Sequence, residues 1–177
     1  IYLGDKPLQL QDGQSASAPS LLTGQLSKPY DLVVSGTVSV FSITFHPQGA
    51  QMFFDIPMNE ICDQTISLRH VQKDLVDRVE TDLYEATSFS EKVTVMNLFL
   101  GHLLRAKKPR QELPRLMDSI RMIDQSMGLV DIDMLARRAC LSRKQFERIF
   151  KAGVGISPKR FLRIIRFQHA IFKKQTL

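Results

Sequence analysis

The chain has 177 residues, of which 44% are apolar and 24% are charged, with a net charge of +6. This balance is typical of a folded globular protein and excludes a chain that is disordered for lack of apolar residues. No apolar run approaches the roughly 20 residues of a membrane-spanning helix, so we expect no membrane partner. Two cysteines far apart, Cys62 and Cys140, form no disulfide framework, and we expect a reducing cytoplasm.

The net charge is unevenly divided along the chain. Residues 1–100 hold 6 Lys/Arg and 12 Asp/Glu, whereas residues 101–177 hold 18 and 6. Such asymmetry predicts two modules with different partners, and the basic module is suited to a polyanion. Charge alone leaves open a simpler interpretation, a solvated face that keeps the protein soluble.

The first third of the chain is strand-like. The run "TVSVFSITF", residues 37–45, is rich in β-branched and aromatic residues that alternate with polar ones. We interpret it as a strand with one buried face, either a plain core strand or the lining of an effector pocket. "HPQGAQMFFDIPMNEI" predicts a turn and two short helical pieces, and "DQTISL" predicts a further short strand.

Helical patterns begin at Leu68. Apolar residues at helical spacing predict one helix after Leu68 and a second beginning near Ser90, which we expect to be its N-cap. These helices, in residues 68–107, are expected to pack together or to form a dimer interface. A third helix is predicted to end at Gly128. The basic, proline-marked run "KKPRQELP" predicts a domain boundary.

These patterns predict an α+β fold in three parts. Residues 1–67 are expected to form a small β-rich regulatory domain, incomplete at its N-terminus, and residues 68–110 a helical connector. Residues 111–177 are expected to form an all-α domain.

Two closely spaced helices are predicted in this last part. Asp131 is expected to cap a short helix, and Cys140 lies in a tight turn after it. Ser142 and Gln145 have the spacing of a capping box for the next helix, which Gly153 or Gly155 would end. Ser157 and Pro158 are suited to the N-cap and first turn of a third helix.

The predicted helix after Ser142 is strongly two-faced. At about 100° per residue, Phe146, Ile149 and Phe150 fall on one side. The opposite side carries Lys144, Glu147, Arg148 and Lys151. The third helix repeats this division: its apolar face is predicted to contain Phe161, Ile164, Ile165 and Phe172, and its basic face Lys159, Arg163, Arg166 and Lys173. A short helix, a tight turn and a basic second helix predict a helix-turn-helix, in which residues 142–151 would enter the DNA major groove.

The run "LARRACLSRKQFERIFKAGVGISPKRFLRIIRFQHAI" resembles the first helix-turn-helix and the linker helix of AraC-type bacterial transcriptional regulators. The run "VFSITFHPQGAQMFFDIPMNEICDQTISL" resembles, less specifically, a β-rich domain fused upstream in one subgroup. The family's DNA-binding unit contains two such motifs, whereas this sequence ends within or just after the linker helix. We therefore expect a truncated DNA-binding domain with the first motif alone. Many relatives have Gly where Cys140 stands, so a turn that needs a positive φ would strain this residue.

The resemblance implies sequence-specific binding of double-stranded DNA and control of transcription. It implies base contacts for Lys144, Glu147 and Arg148. It implies contacts to phosphate for a further set that consists of Arg143, Ser157, Lys159 and Arg163, while Lys151 extends the exposed basic face. The partners expected for such a regulator are RNA polymerase, a second copy of the chain and an effector of unknown structure.

Other functions are weighed on specific residues. A basic RNA- or protein-binding module is the first alternative, although the basic helices lack exposed aromatics for base stacking. A DNA-repair fusion protein with Cys62 as alkyl acceptor is the second. The four histidines lack metal-site spacing, and no nucleophile-elbow, P-loop or Rossmann glycine pattern is present, so we expect neither a cofactor nor an enzyme.

Overall fold

A computed structural model describes residues 9–10, 19–26, 32–33, 39–108 and 110–175. The described part is mostly helical, with two small antiparallel sheets, which agrees with an α+β fold. Its strands are β1 (Gln9–Leu10), β2 (Leu21–Thr23), β3 (Leu32–Val33) and β4 (Thr65–Ser67). Its α-helices are α1 (Arg69–Glu85), α2 (Phe89–Arg105), α3 (Leu113–Gln125), α4 (Ile132–Arg138), α5 (Arg143–Val154) and α6 (Pro158–Gln175), and a short 3₁₀ helix covers Ala50–Met52.

The contacts divide the chain into two compact units. The first unit comprises residues 1–45, 52–55 and 63–108, and the second comprises residues 46–51, 56–62 and 109–177. The change of unit after Lys108 falls within the run "KKPRQELP". Two short segments from the first third of the chain thus belong with the C-terminal helices. No helix in the described ranges has both the length and the apolar character needed to cross a bilayer.

The first unit contains the sheets and a pair of helices. β1 pairs with β3, and β2 pairs with β4 so that Leu22 lies opposite Ile66. The short strand predicted in "DQTISL" is confirmed by β4. Helices α1 and α2 pack on each other through apolar residues spaced three, four or seven apart, as one helix face requires. The buried members are Val76, Val79, Leu83, Met96, Phe99 and Leu103.

Two local predictions in the first half are wrong. Residues 41–45 form no strand, and Ile43 is 39% exposed. Their aromatic rings pack against other aromatic rings instead. The ring centre of Phe45 lies 5.3 Å from that of Phe53, and the ring centre of Phe41 lies 5.7 Å from that of Phe89. Of the two short helical pieces predicted in residues 46–61, one forms as the 3₁₀ helix Ala50–Met52, and a turn replaces the second. Residues 37 and 38 of the predicted strand lie outside the described residues.

The N-cap of α2 is Ser88 and not Ser90. The Ser88 hydroxyl accepts a hydrogen bond from the Glu91 N–H at 3.2 Å, and the Glu91 carboxylate accepts one from the Ser88 N–H at 3.3 Å. This reciprocal pair is a capping box, and it satisfies donors that the helix leaves unpaired. The backbone bonds from Thr87 and Ser88 lower the pKa of the Glu91 carboxyl below its usual 4.5.

The second unit is built around one apolar core. Its centre is Phe150, whose ring is fully buried and lies 5.6 Å from Phe161 and 5.7 Å from Phe146. Leu116 and Ile123 of α3 complete one side of this core. Helices α3 and α6 contact α5 through these residues, and α4 contributes the buried Leu135 to the same core. The core therefore fixes α5 from several directions.

Candidate nucleic-acid interface

The start of α5 is defined by a tight turn after α4. The N–H of Leu141 donates to the carbonyl of Ala136, and the N–H of Cys140 donates to the carbonyl of Arg137, both at 3.0 Å. This bond pattern closes a helix through a residue in the left-handed region, here Cys140 with φ 55°. A side chain is disfavoured there by about 1 kcal/mol, so Cys140 carries the strain expected if the turn needs a positive φ.

The capping box of α5 forms as predicted. The Ser142 hydroxyl accepts from the Gln145 N–H at 3.3 Å, and the Gln145 side-chain carbonyl accepts from the Ser142 N–H at 3.1 Å. At the other end Gly155 adopts φ 99°, and its N–H donates to the Lys151 carbonyl. Both ends of α5 are thus fixed by sequence-encoded caps. Asp131 is the N-cap of α4, although its side chain makes no capping hydrogen bond.

The outward face of α5 is cationic. Lys144, Arg148 and Lys151 are exposed, whereas Phe146 and Phe150 on the opposite side are buried. None of these three cations takes part in an ion pair within the described part of the chain. An exposed row of unpaired cations on a rigidly held helix can bind phosphate oxygens or the acceptor edges of bases.

Arg143 and Glu147 bind each other. The Arg143 guanidinium lies 3.2 Å from the Glu147 carboxylate and 3.1 Å from the Asp133 carboxylate of α4. The hydrogen bond with Glu147 and the negative charge of Asp133 raise the pKa of Arg143. Arg143, implied as a phosphate contact, is therefore paired with Glu147, implied as a base contact. Through Asp133, Arg143 also connects α4 to α5.

Helix α6 presents a second group of cations. Lys159 and Arg163 are exposed and lie one turn apart, and the Ser157 hydroxyl accepts from the Arg160 N–H at 3.4 Å. The helix carries six Lys/Arg and no Asp/Glu. The apolar face predicted for α6 is confirmed at Phe161, which is 4% exposed. It is wrong at Phe172, which is 67% exposed because the core ends before this turn. The expectation that the basic helices lack exposed aromatics is also wrong, since Phe167 is 66% exposed on the same helix.

Three further arginines make hydrogen bonds within this unit, and sequence patterns did not identify their partners. Arg166 donates to the carbonyl of Gly128 at 2.8 Å and so connects α6 to the end of α3. Arg138 of α4 and Arg121 both donate to Asp118, at 2.8 and 2.5 Å, and these bonds lower the pKa of the Asp118 carboxyl. Their partners lie 3 to 38 residues away, and most lie too far for a local pattern to reveal.

Residues 46–51 and 56–62 also contact α5. The Met58 N–H donates to the Ala152 carbonyl at 2.8 Å, and Gln51 lies against Gly153. Met58 and Ile61 are buried, and Cys62 packs against the core of the unit. These contacts were not predicted, since the two segments are about 90 residues from α5 in the sequence.

The second unit also contains an open groove of about 620 Å³. Its lining includes the apolar residues Met117, Ile120 and Ile165 and the polar residues His46, Asp118 and Asp124. The effector pocket considered from the sequence was assigned to residues 37–45, and this groove is lined by other residues.

One family model matches the chain. Residues 3–67 match a family described as a domain of unknown function, DUF6597. This match covers less than half of the chain and ends before α1. No curated protein and no solved structure matches the sequence.

Proposed function

We propose that α4, the turn at Cys140 and α5 form a helix-turn-helix that binds double-stranded DNA, with residues 142–151 in the major groove. The observation that carries this proposal is the division of α5. Phe146 and Phe150 anchor it in the core, while Lys144 and Arg148 stand exposed and unpaired among the described residues. The structure has two helices joined by a turn of about four residues, and the second helix presents its side chains outward. Helix-turn-helix proteins use this geometry to recognise the major groove.

Within this proposal the side chains have distinct roles. Lys144 and Arg148 read base edges, for which guanine O6 and N7 are the favoured acceptors. Lys151, Ser157, Lys159 and Arg163 bind backbone phosphates. Arg143 and Glu147 begin as a pair, so Arg143 reaches a phosphate, or Glu147 a cytosine amino group, only when that pair opens.

The proposed biological role is transcriptional regulation of the AraC type. The family matched at residues 3–67 is typically the N-terminal domain of such regulators. The basic helices after it supply the DNA-binding part, and RNA polymerase and an effector are the further partners that the role implies. We propose a homodimer through the helices of residues 68–107, because dimeric helix-turn-helix proteins bind paired half-sites. A monomer in sedimentation at working concentration would contradict the dimer.

A salt titration of duplex binding tests the electrostatic part of the proposal. The affinity of the full chain for a mixed-sequence duplex should fall linearly with salt on logarithmic axes. Arg163→Ala should reduce that slope by about 1, the loss of one phosphate contact. Arg78→Ala is the matched control, since it removes the same charge from an exposed position on α1. Salt-independent binding, or an equal effect of both variants, would contradict the proposal.

Competition with single-stranded RNA distinguishes the DNA-binding proposal from the main alternative, a basic RNA-binding module. A duplex-reading helix predicts that unlabelled duplex displaces the bound duplex at lower concentration than single-stranded RNA of equal length does. Stronger competition by the RNA would favour the RNA-binding module instead.

A further inference from the structure

Residues 46–51 and 56–62, named the strap here, belong to the contact unit of α3–α6. Both segments lie inside the region matched by the family model, residues 3–67. Residues 45, 52–55 and 63, which flank them, belong to the first unit. The chain therefore passes between the two units at each end of each segment.

The strap provides a hydrogen bond to the end of α5. The last four carbonyls of an α-helix have no partner within the helix. Ala152 is the third residue from the end of α5, and its carbonyl accepts the Met58 N–H at 2.8 Å. The Met58 side chain is 5% exposed, so this donor is anchored in the core.

The strap also makes a close contact at Gly153. A Cβ at this position would lie 2.9 Å from the Gln51 Nε2 and 2.3 Å from the Leu116 Cδ2. The absence of a side chain at Gly153 thus lets both the strap and α3 approach the backbone of α5. Gln51 is 6% exposed, and its buried Nε2 finds no acceptor in the described part of the protein. An unpaired buried amide makes the docked strap less stable than a paired or apolar side chain would.

We propose that the strap is a positioning element for α5, with Gln51 and Met58 as its positioning residues. This inference rests on the proposed DNA-binding function. The strap fixes the C-terminal turn of α5, and so sets the orientation in which Lys144 and Arg148 meet a duplex. Because the strap is continuous with the first unit, a change in that unit reaches the reading helix through it. Because the Gln51 amide is unpaired, the strap binds α5 weakly enough to detach from it reversibly.

Substitutions of Gln51 test the strap in the full chain. Gln51→Met keeps the length and removes the unpaired amide, whereas Gln51→Ala removes the contact. Gln64→Ala is the matched control, since this glutamine is exposed and belongs to the first unit. The first measurement is hydrogen exchange of the α5 amides. The second is the ratio of specific to non-specific duplex affinity.

We expect Gln51→Ala to speed exchange in the last turn of α5 by about tenfold, without an equal increase elsewhere in the unit. It should lower the specific-to-non-specific ratio by about fivefold, within the range of indirect coupling effects. Gln51→Met should slow exchange in that turn and preserve the ratio, and Gln64→Ala should change neither.

Two outcomes would overturn the strap. One is uniform acceleration of exchange through the second unit with an unchanged affinity ratio, which indicates a structural role only. The other is exchange in the last turn of α5 that Gln51→Ala leaves unchanged. Failure of the wild-type chain to discriminate between duplexes would instead contradict the proposed function, and the exchange measurement would still decide whether the strap holds α5.

Discussion

The helix pair α1–α2 and the helix pair α5–α6 bury apolar residues by the same rule but differ in their outward charge. Together α1 and α2 carry five Lys/Arg and six Asp/Glu, whereas α5 and α6 carry ten and one. Each pair is held by residues three, four or seven apart, such as Val76, Val79 and Leu83 on α1. The buried stripe thus determines how the helices pack, and the solvent face is free to determine what they bind.

The capping boxes of α2 and α5 differ in charge in the same direction as the helix pairs do. The box of α2 uses Glu91, which is ionisable, and the box of α5 uses Gln145, which is neutral. Both satisfy the same backbone donors. A carboxylate at α5 would add negative charge beside Lys144, so the neutral box preserves the basic character of the proposed DNA-binding face.

The largest predicted difference between the regions is in an aromatic side chain. Phe150→Ala should lower the free energy of unfolding by about 3–5 kcal/mol, because the ring is fully buried between two other phenylalanines. Phe89→Ala on α2 is the matched change, and should cost less than about 1 kcal/mol because that ring is 74% exposed. Urea denaturation of the full chain measures both, and similar losses would contradict the assigned cores.

Replacing either of two helical glycines, Gly153 or Gly101, with alanine should change the stability of the protein in opposite directions. Gly153→Ala should destabilise the protein by about 1–3 kcal/mol, because the added methyl group meets Leu116 and Gln51. Gly101→Ala on α2 should stabilise it by about 0.5–1 kcal/mol, since the nearest atom to that methyl group is 3.5 Å away, on Arg105. Thermal unfolding of both variants checks the signs. Stabilisation by Gly153→Ala would show that the strap and α3 do not lie in close contact with the backbone of α5 at this position.

The smallest predicted effect depends on pH. The folded pKa of Glu91 lies below 4.5, so its stabilising contribution is complete above pH 4.5 and is lost as the pH falls through the folded value. Glu91→Gln keeps a capping box but removes this titration, so the wild-type advantage should disappear in acid. Gln145→Glu should create the same dependence in α5. Melting temperatures measured across this pH range decide the point, and a constant difference for Glu91→Gln would contradict the assigned cap.

Local patterns predicted the helices because their causes are local. Ser142 and Gln145 are three residues apart, and the buried positions of α5 follow the helical repeat. The misplaced cap of α2 shows the limit of this reasoning. Both Ser88 and Ser90 precede the apolar run, and only the Ser88–Glu91 spacing supplies the reciprocal bond.

Tertiary features were not predictable in the same way. Phe172 continues the apolar periodicity of α6, yet the core has ended at that point and the ring is exposed. The strap contacts at Ala152 and Gly153 join segments about 90 residues apart, which no periodicity reveals. The pairing of Arg143 with Asp133 was equally hidden, because it depends on the turn that brings α4 beside α5.

The most direct test of the central claim is selection of bound fragments from random duplexes by the full chain. It should be repeated with Arg148→Ala and with Arg78→Ala. The DNA-binding account predicts an enriched motif whose preference disappears at one or two base pairs in Arg148→Ala alone, a loss of about 1–3 kcal/mol of discrimination. Absence of enrichment, or a motif that Arg148→Ala leaves unchanged, would contradict α5 as the reading helix.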